Sequence, residues 1–419
     1  MIMITIRKAD LLVWVALVSY LFCINHTLKS TASARYLMYA MVLSAAFVVS
    51  QKGKRYESIG FLSRYTMLNF YCVIILIITV FVELFNNCLD PGSLIQPIFM
   101  ISCVIIGYTI RSIERGAERC ATYLLRLILV LLLFAGIIGI PEYFMQSNFF
   151  YPSYGNPWQT YRVSSIFHHP IIYATSMTVG FIFALYLVKN KLIKAMLLVV
   201  FGFGVFTSLS RSSWVAFAVS MLFLFFAYYR KKLTLRKLFY FILGIVLFIA
   251  LLISPIGQSA VNILISRFAG SLSDVSGTQR LGSIAYIFND LIVNFNPITM
   301  FFGHGEDAAG RLMLNTTIDI DNFSTTDNEY LLILYNYGVI ALGAVVYFFF
   351  WLLKTAMVKY NNLTDLQKAL FFSCIALFIT CFFYEITETK VCAWLALVII
   401  GMLLYEKKAM REVSVQNYD

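Results

Sequence analysis

IKAMLLVVFGFGVFTSLSRSSWVAFAVSMLFLFFAYY, residues 193–229, carries no charge beyond Lys194 except Arg211. As helix this stretch is about 55 Å long, close to two crossings of a roughly 30 Å hydrocarbon core. One span cannot absorb it, so the reading requires a tight turn at Ser208–Ser212 with Arg211 at its tip. The rest of the chain follows the same plan.

Working outward, apolar runs long enough to cross a bilayer fall at about twelve places: 10–26, 34–50, 65–85, 94–110, 121–140, 170–188, 193–209, 212–229, 237–254, 329–353, 368–384 and 391–405. The 419 residues are 60% hydrophobic and 13% charged, against about 25% charged in an ordinary soluble domain. The expected fold class is therefore all-α, a polytopic membrane protein with about 12 transmembrane helices. A large external loop, residues 255–328, separates spans 9 and 10, and the chain 1–419 reads as a single integral membrane domain. Arg7 and Lys8 precede the first run without a small-residue cleavage site after it, which predicts a retained first span.

The net charge of +11 is compatible in principle with nucleic-acid binding. The basic residues, however, sit in short clusters between apolar runs rather than on one face of a soluble domain, which argues for topology signals and no nucleic acid. Counting Lys and Arg in alternate hinges gives about 23 on one side and about 8 on the other. The richer side is expected to be cytoplasmic, with both termini inside, and 255–328 and the hinge Pro141–Pro170 then face outward. Most of the eight cysteines lie in apolar runs without a CxxC or Cys/His cluster, and read as packed thiols rather than disulfide or zinc ligands.

Within the large loop, Leu281, Ile284, Phe288, Leu291 and Ile292 recur at helical spacing between Gly277–Thr278 and Pro297. They predict an amphipathic helix lying at the membrane surface, opened by Arg280. Ile298–Phe302 then leads into Gly303-His304-Gly305, a sharp turn expected to dip toward the bilayer.

Arginines on the outer side are informative because they oppose the charge bias. An arginine near the bilayer centre costs at least about 2.5–3.5 kcal/mol, so it commonly has a partner or a substrate. Arg162, Arg211 and Arg280 around one cavity suit an anionic lipid headgroup, because each guanidinium offers a rigid donor fork to phosphate oxygens. Snorkelling to membrane phosphates is the alternative for any one of them. His168, His169 and His304 also fall outside. His304 is the stronger candidate base, since flanking glycines permit close backbone approach. Asp319-Ile320-Asp321 has a DxD form, but on an outward loop it reads as solvated chain rather than a metal site. Asp327-Asn328-Glu329 stands where the loop re-enters the membrane, so a carboxylate there either takes a proton from an incoming hydroxyl or caps the next helix. Tyr143, Tyr151, Tyr154, Trp158 and Tyr161 in the earlier hinge suit either an interfacial belt or sugar stacking.

The order of these features resembles a known family. Arg162 to Pro170 forms Arg-x-x-x-x-Phe-x-x-Pro before a span, and Ser210-Arg211-Ser212 forms a turn between two spans. Arg280 is followed by Pro297 and Phe302-Gly303-His304-Gly305, and Asp327-Asn328-Glu329-Tyr330-Leu331 by Tyr337-Gly338-Val339-Ile340. This is similar to the O-antigen polymerase and ligase superfamily, bacterial transferases that move glycan from undecaprenyl diphosphate.

The resemblance implies a metal-independent inner-membrane glycosyltransferase with no cofactor. Arg162, Arg211 and Arg280 would bind the lipid diphosphate, and Asp327 or His304 would be the catalytic base. Its partners would be an undecaprenyl-diphosphate-linked oligosaccharide, membrane lipids and a chain-length regulator protein. Ligase members place His before the Asn of the last motif, where this chain has Asp327, which favours a polymerase of O-antigen, capsular or exopolysaccharide units. A ligase to lipid A-core and a flippase of the lipid-linked unit are the alternatives. Transporters tend to place polar, broken spans at the midplane, whereas the polar residues here lie in external loops.

Overall fold

The computed structural model describes residues 8–28, 32–53, 91–112, 117–150, 161–229, 265–268, 275–315 and 324–416, together with Ser254, Gln258 and Asn262. The principal helices are α1 (Lys8–Leu28), α2 (Ala32–Gly53), α3 (Pro91–Ser112), α4 (Ala117–Met145), α5 (Pro170–Leu187), α6 (Lys191–Thr207) and α7 (Arg211–Tyr229). They continue with α8 (Val275–Val293), α9 (Pro297–Phe302), α10 (Ala308–Leu314), α11 (Glu329–Val358), α12 (Asp365–Thr380) and α13 (Lys390–Gln416). Five of these, α3, α4, α5, α7 and α11, hold segments long and apolar enough to cross a membrane. Helices cover ten of the twelve expected runs. The runs at 65–85 and 237–254 lie outside the described residues, Ser254 excepted.

The break inside 193–229 falls at Ser208–Ser210, with Arg211 the first residue of α7. Ser210 makes it: its hydroxyl accepts from the Ser213 N–H at 3.3 Å and the Ser213 hydroxyl at 2.9 Å. These bonds satisfy donors that a helix start otherwise leaves open. Leu209 takes a positive φ of 47° to complete the reversal. Similar local signals set other ends. Asn190 caps α6, and Thr364 and Gln367 form a reciprocal capping box on α12.

The helices divide by environment. α5 is buried over 83% of its length and α11 over 17% of its most apolar window. A helix apolar all round belongs in the interior of a bundle, and α5 sits there with α12, α4 and α6 packed on it. α3 and α13 approach closely through small residues: a Cβ on Gly107 would lie 2.0 Å from the Val398 carbonyl, and one on Gly401 would lie 2.2 Å from that of Val104. Close contact of this kind is how helices associate where lipid removes the hydrophobic drive.

The segment expected to be the large loop carries helices at Val275–Val293, Pro297–Phe302 and Ala308–Leu314. Ile287 and Leu291 of α8, Ala308, Ala309 and Met313 of α10, and Leu331, Leu334 and Tyr335 of α11 form a second core above the bundle. Leu281, Ile284, Phe288 and Ile292 of α8 remain exposed. The expected amphipathic face is thus outward, and Leu291 belongs to the opposite, packed face. α8 also starts earlier than the sequence predicts. Gly277 and Thr278 continue the helix instead of turning, and Gly277 is buried. Arg280 therefore lies in the second turn of α8 rather than at its start.

α11 is bent at Gly338, whose φ of 80° and ψ of 177° interrupt the helix. Carbonyls freed by the bend are met by the Gly-His-Gly turn: the His304 N–H donates to the Tyr335 carbonyl at 2.9 Å and the Gly305 N–H to that of Asn336 at 3.0 Å. Such re-satisfaction is what permits a broken helix at membrane depth. Gly303 and Gly338 cross with no room for side chains. A Cβ on Gly303 would lie 2.1 Å from the Asn336 oxygen, and one on Gly338 would lie 2.3 Å from that of Phe301. Gly338→Ala therefore adds overpacking to a positive φ, each costing about 1–3 kcal/mol. Gly343→Ala, on the same helix with open space around its Cβ, is neutral or stabilising by up to about 1 kcal/mol. Melting temperatures of the two purified variants in detergent should move in opposite directions or differ widely; equal shifts would contradict the crossing.

Candidate functional site

Arg162 lies on the irregular stretch that joins α4 to α5. The Val163 N–H donates to the Thr207 carbonyl at 3.2 Å, and the Arg162 Nε donates to that of Ser208 at 3.2 Å. Both bonds tie the stretch to the α6–α7 turn, next to Arg211. The Arg211 Nη1 donates to the Arg267 carbonyl at 3.1 Å, and the Arg280 Nη2 to that of Phe383 at 3.4 Å. The Arg162 guanidinium is pushed down to about 9 by burial and by the nearby charges of Arg267, Arg211 and Arg280. Four guanidiniums from four separate parts of the chain thus share one electrostatic neighbourhood.

The counter-charge is Asp327. Its Oδ2 lies 3.6 Å from the Arg280 Nε, with 20% of the Asp327 side chain and 26% of the Arg280 side chain exposed. Burial raises the Asp327 carboxyl above its ordinary value, opposed by Arg280 and by a hydrogen bond from Thr325. The two roles left open for this motif separate onto two residues. Asn328 is the cap of α11, its side-chain oxygen accepting from the Tyr330 N–H at 2.9 Å and the Leu331 N–H at 3.2 Å. Asp327 has a φ of 52°, which turns its carboxylate to Arg280.

The turn carrying Asp327 is gripped by a reciprocal pair of acids. Glu385, between α12 and α13, accepts from both the N–H and the hydroxyl of Thr326 on one oxygen, Oε1, each at 2.5 Å. Glu329 accepts from the Thr387 N–H at 3.0 Å and its hydroxyl at 2.5 Å. Each acid holds a threonine of the other segment, and a hydrogen bond of this kind contributes about 0.5–1.5 kcal/mol. The Glu329 N–H also donates to the Cys381 carbonyl at 2.9 Å, and the Asn328 amide donates to that of Phe382 at 3.2 Å. Tyr384 stacks on His169 with ring centroids 5.4 Å apart. The His169 Nδ1 in turn accepts from the Ile171 N–H at 3.3 Å at the start of α5, so its proton sits on Nε2 when neutral. Burial and Arg162 lower His169 to about 3.

His304 occupies a different setting. Its ring stacks on Tyr335 at 4.3 Å and its Nδ1 lies 3.2 Å from the Tyr335 carbonyl. The close approach that its flanking glycines permit is to the α11 backbone. Among the expected site residues, Arg162, Arg211, Arg280 and Asp327 are brought together, and His304 belongs to the packing of the loop on α11. Asp319 and Asp321, and Tyr151, Tyr154 and Trp158, lie outside the described residues. Sequence reasoning passed over Arg267, although it lies in the same expected outer loop as Arg280. It also passed over Glu385, whose signal is that Tyr384–Lys390 is a polar interruption between two apolar runs.

What this arrangement can do follows from its charges. Three helix starts, those of α5, α7 and α11, adjoin the guanidiniums, and the N-terminal end of a helix favours an anion. The site therefore attracts a polyanion and offers one partly exposed carboxylate beside it.

Glu385 couples this site to pH. Burial, reinforced by Glu329 and Glu388 and opposed by the Thr326 bonds, pushes its carboxyl up to about 8 from an ordinary 4.5. A raised folded-state value means the protonated form is favoured on folding. Its contribution is fully present below about 4.5 and is lost as pH rises through about 8. Glu385→Gln keeps the single accepting oxygen and removes the titration. Its melting temperature should fall less than that of the unaltered protein across this range, with a remaining slope from Glu306 and Glu329, each raised by burial to about 7. Identical slopes would show that Glu385 is not raised.

The family model described as O-antigen ligase, Wzy_C, matches residues 195–359. A search of curated proteins gives no match. The matched range contains Arg211, Arg267, Arg280, His304 and Asp327, and Arg162 precedes it. The apolar helices together with this match identify an integral membrane protein. Residues 195–359 carry the pattern of the O-antigen ligase family, consistent with the O-antigen polymerase and ligase superfamily that the motifs resemble.

Proposed function

We propose that this protein is a glycan polymerase of the inner membrane. It transfers a growing O-antigen, capsular or exopolysaccharide chain from undecaprenyl diphosphate to the next lipid-linked repeat unit at the outer face. The observation that supports this reading is the convergence of Arg162, Arg211, Arg267 and Arg280 beside Asp327.

In this reading the guanidiniums hold the donor diphosphate. Asp327 accepts the proton of the acceptor sugar hydroxyl as its oxygen bonds to the donor anomeric carbon. The bond from that carbon to the phosphate oxygen breaks, and its electron pair leaves with the diphosphate. Preorganised positive charge stabilises that developing anion. Arg280 serves both partners: it opposes the rise that burial imposes on the Asp327 carboxyl, and it stands where donor and acceptor meet. No metal or nucleotide sugar is required. The acceptor is the finer point. Asp327 in the place where ligases carry His supports a polymerase, whereas the description of the matching family supports ligation to lipid A-core.

Deletion of the gene separates the two. Loss of a polymerase leaves single repeat units on the core in a surface-glycan gel, and loss of a ligase leaves long chains stranded on the lipid carrier. A flippase would leave neither, with units trapped inside. In complementation, Arg211→Ala and Asp327→Asn should each abolish chain growth while the protein accumulates normally in the membrane. Wild-type polymer from Arg211→Ala would remove the diphosphate clamp, and an unchanged modal length with Asp327→Asn would remove the base.

A further inference from the structure

We propose that Glu142 is a positioning residue for Arg162, fixing the guanidinium from behind so that it faces the lipid diphosphate; this rests on the reading of the arginine cluster given above. Glu142 lies near the end of α4 and is fully buried. A carboxylate removed from water is costly unless it is fully hydrogen-bonded or paired. This one is satisfied by donors. The Ser164 N–H donates to its Oε1 at 2.9 Å and the Ser165 N–H to its Oε2 at 2.8 Å. The Tyr161 hydroxyl donates to Oε1 at 2.9 Å and the Asn148 amide at 3.2 Å.

These donors flank Arg162 on both sides in sequence. Tyr161 precedes it, and Ser164 and Ser165 follow after Val163. Ser165 is further held by its hydroxyl, which donates to the Ala135 carbonyl at 2.8 Å, and it adopts a φ of 52°. With both flanks tied to one carboxylate, the stretch has no slack in which Arg162 can drift away from Arg211, Arg267 and Arg280. Mutual repulsion would otherwise drive such a drift. The guanidinium itself points to the α6–α7 turn through the Ser208 carbonyl. An acid set against the guanidinium would have stabilised it by neutralising it, at the expense of anion binding. An acid that grips the backbone around it holds the geometry without itself neutralising the charge.

The test is a double-mutant cycle on the purified full-length protein, reading the dissociation constant for undecaprenyl diphosphate, with undecaprenol as the phosphate-free control. Glu142→Gln presents an amide N–H₂ to a backbone N–H that needs an acceptor, so the clamp opens. Arg162→Ala should weaken binding about tenfold or more, and Glu142→Gln by a similar factor. The double variant should be no weaker than Arg162→Ala alone. Factors that multiply, or unchanged binding in Glu142→Gln, would overturn the proposal and leave Glu142 with a role in folding only. Should Glu142→Gln fail to accumulate, Tyr161→Phe repeats the cycle with the carboxylate intact: a loss of a fewfold that vanishes on the Arg162→Ala background supports the clamp, and any other result overturns it. If the unaltered protein binds undecaprenyl diphosphate no better than undecaprenol, the diphosphate reading of the site fails instead.

Discussion

Like charges repel, and four guanidiniums can stand side by side in a partly dry site only if the backbone carrying them is held by something other than those charges. The surroundings of the four arginines are built around that requirement. Arg162, Arg211 and Arg280 each donate to a main-chain carbonyl, of Ser208, Arg267 and Phe383, which orients them without cancelling charge. Buried acids then act on backbone and hydroxyl donors. Glu142 holds the stretch around Arg162, and Glu385 and Glu329 hold the two segments around Asp327. Asp327 faces Arg280 directly, at 3.6 Å and with both partners partly exposed.

Rigidity of this kind needs a floor. It comes from α5 and α12, apolar on nearly every side and enclosed by their neighbours, and from the bend of α11 at Gly338. The bend brings the Gly-His-Gly turn into contact with main chain on α11, so the loop helices α8, α9 and α10 are bolted to a span instead of resting on it. Asp290 of α8 adds a tie, accepting from the Tyr335 hydroxyl at 2.7 Å. Arg280 and Asp327 therefore belong to one body although they are far apart in sequence.

Much of this was legible in the residues. Apolar length located ten of the twelve expected runs as helices, five of them with segments long and apolar enough to cross a membrane, and charge against the positive-inside bias singled out Arg162, Arg211 and Arg280. Those signals are one-dimensional and strong. The partners of the arginines were not legible, because Glu142, Glu385 and Arg267 reach them through folding contacts that leave no spacing signature. His304 shows the converse. Its glycine flanks do signal close backbone approach, but sequence does not say to what, and here the neighbour is Asn336 of the same chain. Likewise Asp327-Asn328 offered two capping candidates, and only the backbone conformation at Asp327 decides which side chain is released.

α8 carries one further consequence. Its packed face joins the loop core, while Leu281, Ile284, Phe288 and Ile292 remain exposed, and Arg280 sits immediately before the first of them. A helix with an apolar flank of this kind floats where hydrocarbon gives way to headgroups. The vertical position of Arg280 is then set by the bilayer as well as by the bundle. The lipid surface then acts as a levelling plane, and under the function proposed above it brings the cations to the depth at which the membrane suspends a polyprenyl diphosphate. Bilayer thickness and composition thereby become part of the geometry of the site.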